Sequence, residues 1–71
     1  MTKRRHIKYI HEGNYVAEVD VILIETDEGW SPYLSLDDAQ RLDEVRAALQ
    51  EGDLKKAVQH ARIYKLTPVA I

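Results

Sequence analysis

The sequence predicts an α+β domain of two layers, an antiparallel sheet with two helices on one face, in the order ββααβ. Three observations carry this reading. Residues alternate with period two from Tyr15 to Glu25, a turn signal at Glu12-Gly13-Asn14 joins that run to an extended segment before it, and an apolar stripe at helical spacing begins at Leu36.

The central strand is the clearest element. Tyr15, Ala17, Val19, Val21 and Leu23 fall on one face and are all apolar. Val16, Glu18, Asp20, Ile22 and Ile24 fall on the other. A strand with one wholly apolar face is expected to be covered on that face. Arg5 to His11 is the preceding strand. Two registers are open to this hairpin. A two-residue loop, Gly13-Asn14, sets Lys8 beside Val19 and His6 beside Val21 on the buried face. A three-residue loop, Glu12-Gly13-Asn14, sets Ile7 against Val19 and Tyr9 against Ala17, with Lys8 opposite Glu18 and His6 opposite Asp20. The three-residue loop pairs apolar with apolar and base with acid, and it is the register expected.

Thr26 to Tyr33 is a connection holding Gly29, Trp30 and Pro32. Ser35 is placed to cap a helix, with Asp38 three residues on and Asp37 beside it near the positive end of the helix dipole. Leu36, Ala39, Leu42, Val45, Ala48 and Leu49 form its apolar stripe, and Gly52 ends it. Asp53 caps a short second helix with Leu54, Ala57, Val58 and Ala61 on one side. Arg62 to Thr67 is extended again, and Pro68 limits it. The helices are expected to cover the apolar face of Tyr15–Leu23.

Composition bounds the rest. The chain of 71 residues is 45% hydrophobic and 31% charged, the balance of a folded protein, and residues 1–71 are expected to form one domain. A domain this small buries only about 60% of its unfolded surface, so a partner or self-association, such as a homodimer, is the expected source of further stability. There is no Cys, which rules out disulfides and zinc thiolates and suits a cytoplasmic location. The longest apolar run, Val21–Ile24, is far short of a membrane span, and no apolar segment follows the basic Lys3-Arg4-Arg5, so neither a membrane anchor nor a signal peptide is expected. Net charge is −2 but is divided. Residues 1–11 hold Lys3, Arg4, Arg5 and Lys8 without an acid, and residues 12–28 hold six acids, from Glu12 to Glu28, without a base. Segments of opposite sign side by side favour antiparallel pairing.

No constellation points to catalysis, a metal or a cofactor. His6 and His11 lie five apart on a strand and point to opposite faces, and His60 lies late in the helical region. Glu18 and Asp20 share a strand face, as an acid–base pair would, but basic partners are expected opposite both. Ser31 and Ser35 have no His nearby, and Gly13, Gly29 and Gly52 are isolated, so there is no phosphate loop. The chain is expected not to be an enzyme. Gly29-Trp30-Ser31-Pro32-Tyr33 holds the only Trp, either as a lid on the core or as an anchor for another protein.

From Tyr15 to Val69 the chain resembles small prokaryotic proteins encoded in toxin–antitoxin-like pairs. The residues that carry this are Tyr15-Val16-Ala17-Glu18-Val19, Gly29-Trp30-Ser31-Pro32-Tyr33-Leu34-Ser35, Leu42-Asp43, Gly52-Asp53-Leu54 and Leu66-Thr67-Pro68-Val69. The resemblance implies an antitoxin-like, non-catalytic protein whose partner is a small toxin. A strand followed by Ser35-Leu36-Asp37-Asp38 and two helices is also similar to ribbon-helix-helix repressors, the alternative function. Against DNA reading stand the length of the strand, the acids on its open face and the long polar loop before the helix. The expected partner-binding residues are Val16, Ile22, Ile24, Trp30 and Tyr33, around the sheet face that two short helices leave uncovered.

Overall fold

A computed structural model describes residues 2–27 and 31–70. Two long strands, β1 (Thr2–Glu12) and β2 (Tyr15–Glu25), form an antiparallel hairpin. A two-residue strand β3 (Tyr33–Leu34), a helix α1 (Leu36–Glu51), a single helical turn α2 (Leu54–Ala57) and a strand β4 (Arg62–Lys65) follow. The class is α+β, an antiparallel sheet of four strands with two helices. The expected order ββααβ gains one element, β3, at the end of the connection from Thr26 to Tyr33. Two residues are too few to show period two, so nothing local announces it.

The hairpin register differs from the one expected. The loop is Gly13-Asn14, and Ile7 faces Asp20, Lys8 faces Val19, Tyr9 faces Glu18 and Ile10 faces Ala17. Gly13 has φ 57°, and Asn14 has no positive φ. That is the arrangement of a type II′ turn, whose twist suits a hairpin and which asks for Gly at its first central position. The slip by one residue turns Ile10 inward, where it is 4% exposed. Ile7 and Tyr9 move to the opposite face, 42% and 64% exposed. The expected pairs Lys8–Glu18 and His6–Asp20 do not form.

His6 and Lys8 now share a face with Val19 and Val21, yet both are exposed. The path of α1 explains this. Near its start, Asp38 bonds to Ile22 of β2, and near its end the Gln50 side chain donates to Glu12 of β1 at 3.2 Å. The helix therefore crosses the sheet diagonally and leaves Arg4, His6 and Lys8 in water. Opposite charges still meet across the hairpin, because Arg4 reaches Glu25 at 2.9 Å.

The core is the predicted face of β2 under the helices. Ala17, Val19, Val21, Val45 and Ala57 are almost wholly buried, with Ile10, Ala48 and Leu49 beside them. Tyr15, Leu34, Leu42, Leu54, Ala61 and Ile63 pack around this centre. Leu36 and Val58, expected on the helical stripes, are exposed. They lie at the outer ends of their helices, past the sheet's cover.

The caps at Ser35, Gly52 and Asp53 are as the sequence predicts, while α2 stops at Ala57, short of the expected stripe through Ala61. The Ser35 hydroxyl accepts from the Asp38 N–H at 3.2 Å. Gly52, at φ 75°, donates to the Leu49 carbonyl, and Asp53 N–H donates to that of Ala48. This is a Schellman closure, in which a left-handed residue satisfies carbonyls the helix leaves open. Asp53 then caps α2 by accepting from Lys56 N–H at 3.1 Å.

Candidate interaction surface

The two long strands have unequal neighbours. β2 is interior, with β1 along one side and both β3 and β4 on the other. β4 pairs with Tyr15–Glu18 and β3 with Leu23–Ile24, at opposite ends. Between them lies a gap in the sheet, filled by two side chains of α1. Ile22 N–H donates to Asp38 Oδ2 at 2.8 Å, and the Arg41 guanidinium donates to the Asp20 carbonyl. Asp38 and Arg41 also pair with each other at 3.4 Å. The interior strand thus keeps backbone partners where strands are missing.

The second face of the sheet carries no helix among the described residues. The register puts Lys3, Arg5, Ile7, Tyr9 and His11 of β1 on it, with Val16, Glu18, Asp20, Ile22 and Ile24 of β2, Arg62 and Tyr64 of β4, and Tyr33 of β3. Apolar and aromatic side chains gather at two places. Ile22, Ile24 and Tyr33 form one group, and Val16 with Tyr64 forms the other. Ile7 and Tyr9 adjoin them from β1. Tyr33 and Tyr64 are 47% and 48% exposed, a large aromatic area to leave in water.

An ionic belt separates the two groups. Arg62 Nε donates to Glu18 Oε1 at 2.6 Å, and its Nη2 is 3.5 Å from Asp20 Oδ1. The hydrogen bond to Glu18, then the charges of Glu18 and Asp20, push the Arg62 guanidinium above its ordinary pKa. Both acids therefore do find a basic partner, on the strand opposite to the one expected. Beside the belt a small hollow is lined by Glu18, Asp20, Arg41, Val58, His60, Ala61 and Arg62. His60 Nε2 lies 3.4 Å from Glu44. The hollow's charges are matched within the chain, and among the described residues no three His, Cys, Asp or Glu side chains stand together as metal ligands.

Of the expected partner-binding residues, Val16, Ile22, Ile24 and Tyr33 share this face. Trp30 lies outside the described residues. Ile7, Tyr9 and Tyr64 belong to the face but were not expected there. Ile7 and Tyr9 were assigned to the core by the three-residue loop, and the turn chemistry of Gly13 was the signal that places them correctly. No described helix is long and apolar enough to cross a membrane. Compared with protein-family models, with curated proteins and with solved structures, the chain matches none.

Proposed function

We propose that this chain is a non-catalytic protein-binding module that docks another protein on the open face of its sheet, most concretely as the antitoxin-like half of a pair. The observation that carries the reading is the composition of that face. Half-buried Val16, Ile22 and Ile24 sit with exposed Tyr9, Tyr33 and Tyr64 around the ion pairs of Arg62 with Glu18 and Asp20. Exposed Tyr side chains beside apolar ones, with the charges between them already paired within the chain, suit a protein interface, which is enriched in aromatic residues and Arg. The toxin-like identity of the partner comes from the resemblance alone.

The test is the exchange Ile22→Asp. Its side chain points away from the helices, so the fold is expected to survive while association weakens. Burying an Ile is worth roughly 1.5–3 kcal/mol, which corresponds to a loss of about tenfold or more. The tagged chain is expressed in its native host, and co-purifying protein and oligomeric state are measured by mass spectrometry and light scattering. A lone monomer whose behaviour Ile22→Asp leaves unchanged would sink the reading. A homodimer broken by Ile22→Asp would keep the face as an interface and change the partner to a second copy.

A further inference from the structure

The outer edge of β1 is a second feature of the same sheet, separate from its open face. β1 is 11 residues long and pairs only with β2 among the described residues. Its length and its place at the edge leave a long row of backbone groups without strand partners. The register tells which groups these are. In a hairpin with a two-residue loop, the residues flanking the loop, Glu12 and Tyr15, form a hydrogen-bonded pair, and such pairs alternate along the ladder. Ile10, Lys8, His6 and Arg4 therefore turn their backbone groups toward β2. His11, Tyr9, Ile7, Arg5 and Lys3 turn theirs outward. The hydrogen bonds on the far side of β2 obey the same parity, since the groups used there belong to Asn14, Asp20 and Ile22.

The side chains along this edge have one sign. Lys3, Arg4, Arg5 and Lys8 line it, and Glu12 at the turn is its one carboxylate. Of the cations, Arg4 is drawn to Glu25 of β2. Lys and Arg on an edge strand oppose pairing with a like strand. Two copies of β1 side by side would bring two cation-rich strands together, with Glu12 the one carboxylate on each. The edge is thus built against self-pairing but keeps its row of donors and acceptors.

We infer that the β1 edge receives an extended acidic segment of a partner protein as an added strand. Backbone groups of Lys3, Arg5, Ile7, Tyr9 and His11 supply the ladder, which is the general mode of strand addition. Carboxylates of the added strand meet Lys3, Arg5 and Lys8. Apolar side chains on its other positions extend the patch at Ile7 and Tyr9. A polyanion such as duplex DNA would satisfy the cations but would leave the ladder groups unused and would meet the acids Glu18 and Asp20 on the adjoining strand. This inference deepens the protein-binding reading by giving the partner's chemistry.

The experiment titrates the full chain with a fluorescein-labelled Glu–Val peptide whose antiparallel register sets Glu opposite Lys3, Arg5 and Lys8 and Val opposite Ile7 and Tyr9, with a Lys–Val peptide of the same pattern and a DNA duplex in parallel. Anisotropy should rise with the Glu–Val peptide alone. Arg5→Glu with Lys8→Glu should weaken that binding at least tenfold. Tyr9→Pro should do the same, since it removes an outward N–H and leaves the ladder to β2 intact. A Glu–Val peptide N-methylated on alternate residues, in either phase, tests the ladder without altering the protein. At least one phase must lose binding. Equal binding of the methylated peptides, or duplex binding as tight as the peptide's, would overturn the inference and leave a simple polyanion surface. No peptide binding would also overturn it. Tyr33→Ala, on β3 and so two strands away from the β1 edge, removes an aromatic side chain of the face and should leave peptide binding unchanged, so the edge and the face can fail separately.

Discussion

Asp38, in the first turn of α1, accepts the backbone N–H of Ile22 in the middle of β2 at 2.8 Å. One carboxylate therefore ties the helix to a stretch of interior strand that, among the described residues, has no neighbouring strand on that side. The same residue donates its own N–H to Ser35 and pairs with Arg41. Asp38→Ala should leave the Ile22 N–H without its partner and destabilise the chain by roughly 1–3 kcal/mol. Asp38→Asn keeps an acceptor and should cost less. Urea denaturation of the three proteins checks the order.

The turn decides the register, and Gly13 decides the turn. Gly13→Ala puts a side chain at φ 57°, where an L-residue costs roughly 1–2 kcal/mol. No atom lies within 4 Å of the added Cβ, so the loss is one of backbone conformation and not of a clash. Thermal melts should show it. In the wild-type chain, nuclear Overhauser contacts between Hα atoms should join Tyr9 with Glu18 and Ile7 with Asp20. Contacts joining Ile7 with Val19 would instead support the three-residue loop.

Two exchanges of equal chemistry on opposite sides of the chain should part company. Val45 is wholly buried between helix and sheet. Val45→Asp places a carboxylate there without a partner and should abolish folding. Val45→Ala is the milder form and should cost roughly 2–3 kcal/mol, the transfer term for two carbons plus the cavity left behind. Ile22→Asp, on the open face, should leave the circular dichroism spectrum and cooperative melt in place. Loss of folding in both Asp variants would mean that the face is part of the core.

Ser35 caps α1 through its hydroxyl. Ser35→Ala should cost about 1 kcal/mol, and Ser35→Asp should restore most of it. Because Asp38 sits one turn into the helix, loss of the cap should also loosen the Ile22 contact. Faster hydrogen exchange at the Ile22 amide in Ser35→Ala would report that coupling.

Much of the fold was legible from local rules. Period two in Tyr15–Glu25, the cap at Ser35, the stop at Gly52 and the second cap at Asp53 each depend on residues within a few positions of one another. The apolar face of β2 also named its own cover. Among the candidate site residues, Val16, Ile22 and Ile24 were readable for the same reason, since a strand's alternation assigns its faces without knowledge of its neighbours. The register failed because charge and apolar pairing were weighed above turn geometry. A single residue, Gly13 at the first central position, outweighed the pairs Lys8–Glu18 and His6–Asp20, whose exposed ion pairs contribute little.

The sequence by itself determined the class, the helices and their caps, and which side of β2 is buried. Only the tertiary structure decided that α1 crosses the sheet diagonally, so that His6 and Lys8 stay in water beside an apolar row. It also decided that Arg62, remote in the chain, pairs with both Glu18 and Asp20, and that Asp38 and Arg41 close the gap between β3 and β4. These choices depend on which segments meet in space, and no periodicity records that. A backbone N–H such as that of Ile22 takes whatever acceptor the packing brings to it, and here the packing brought a helix side chain in place of a strand.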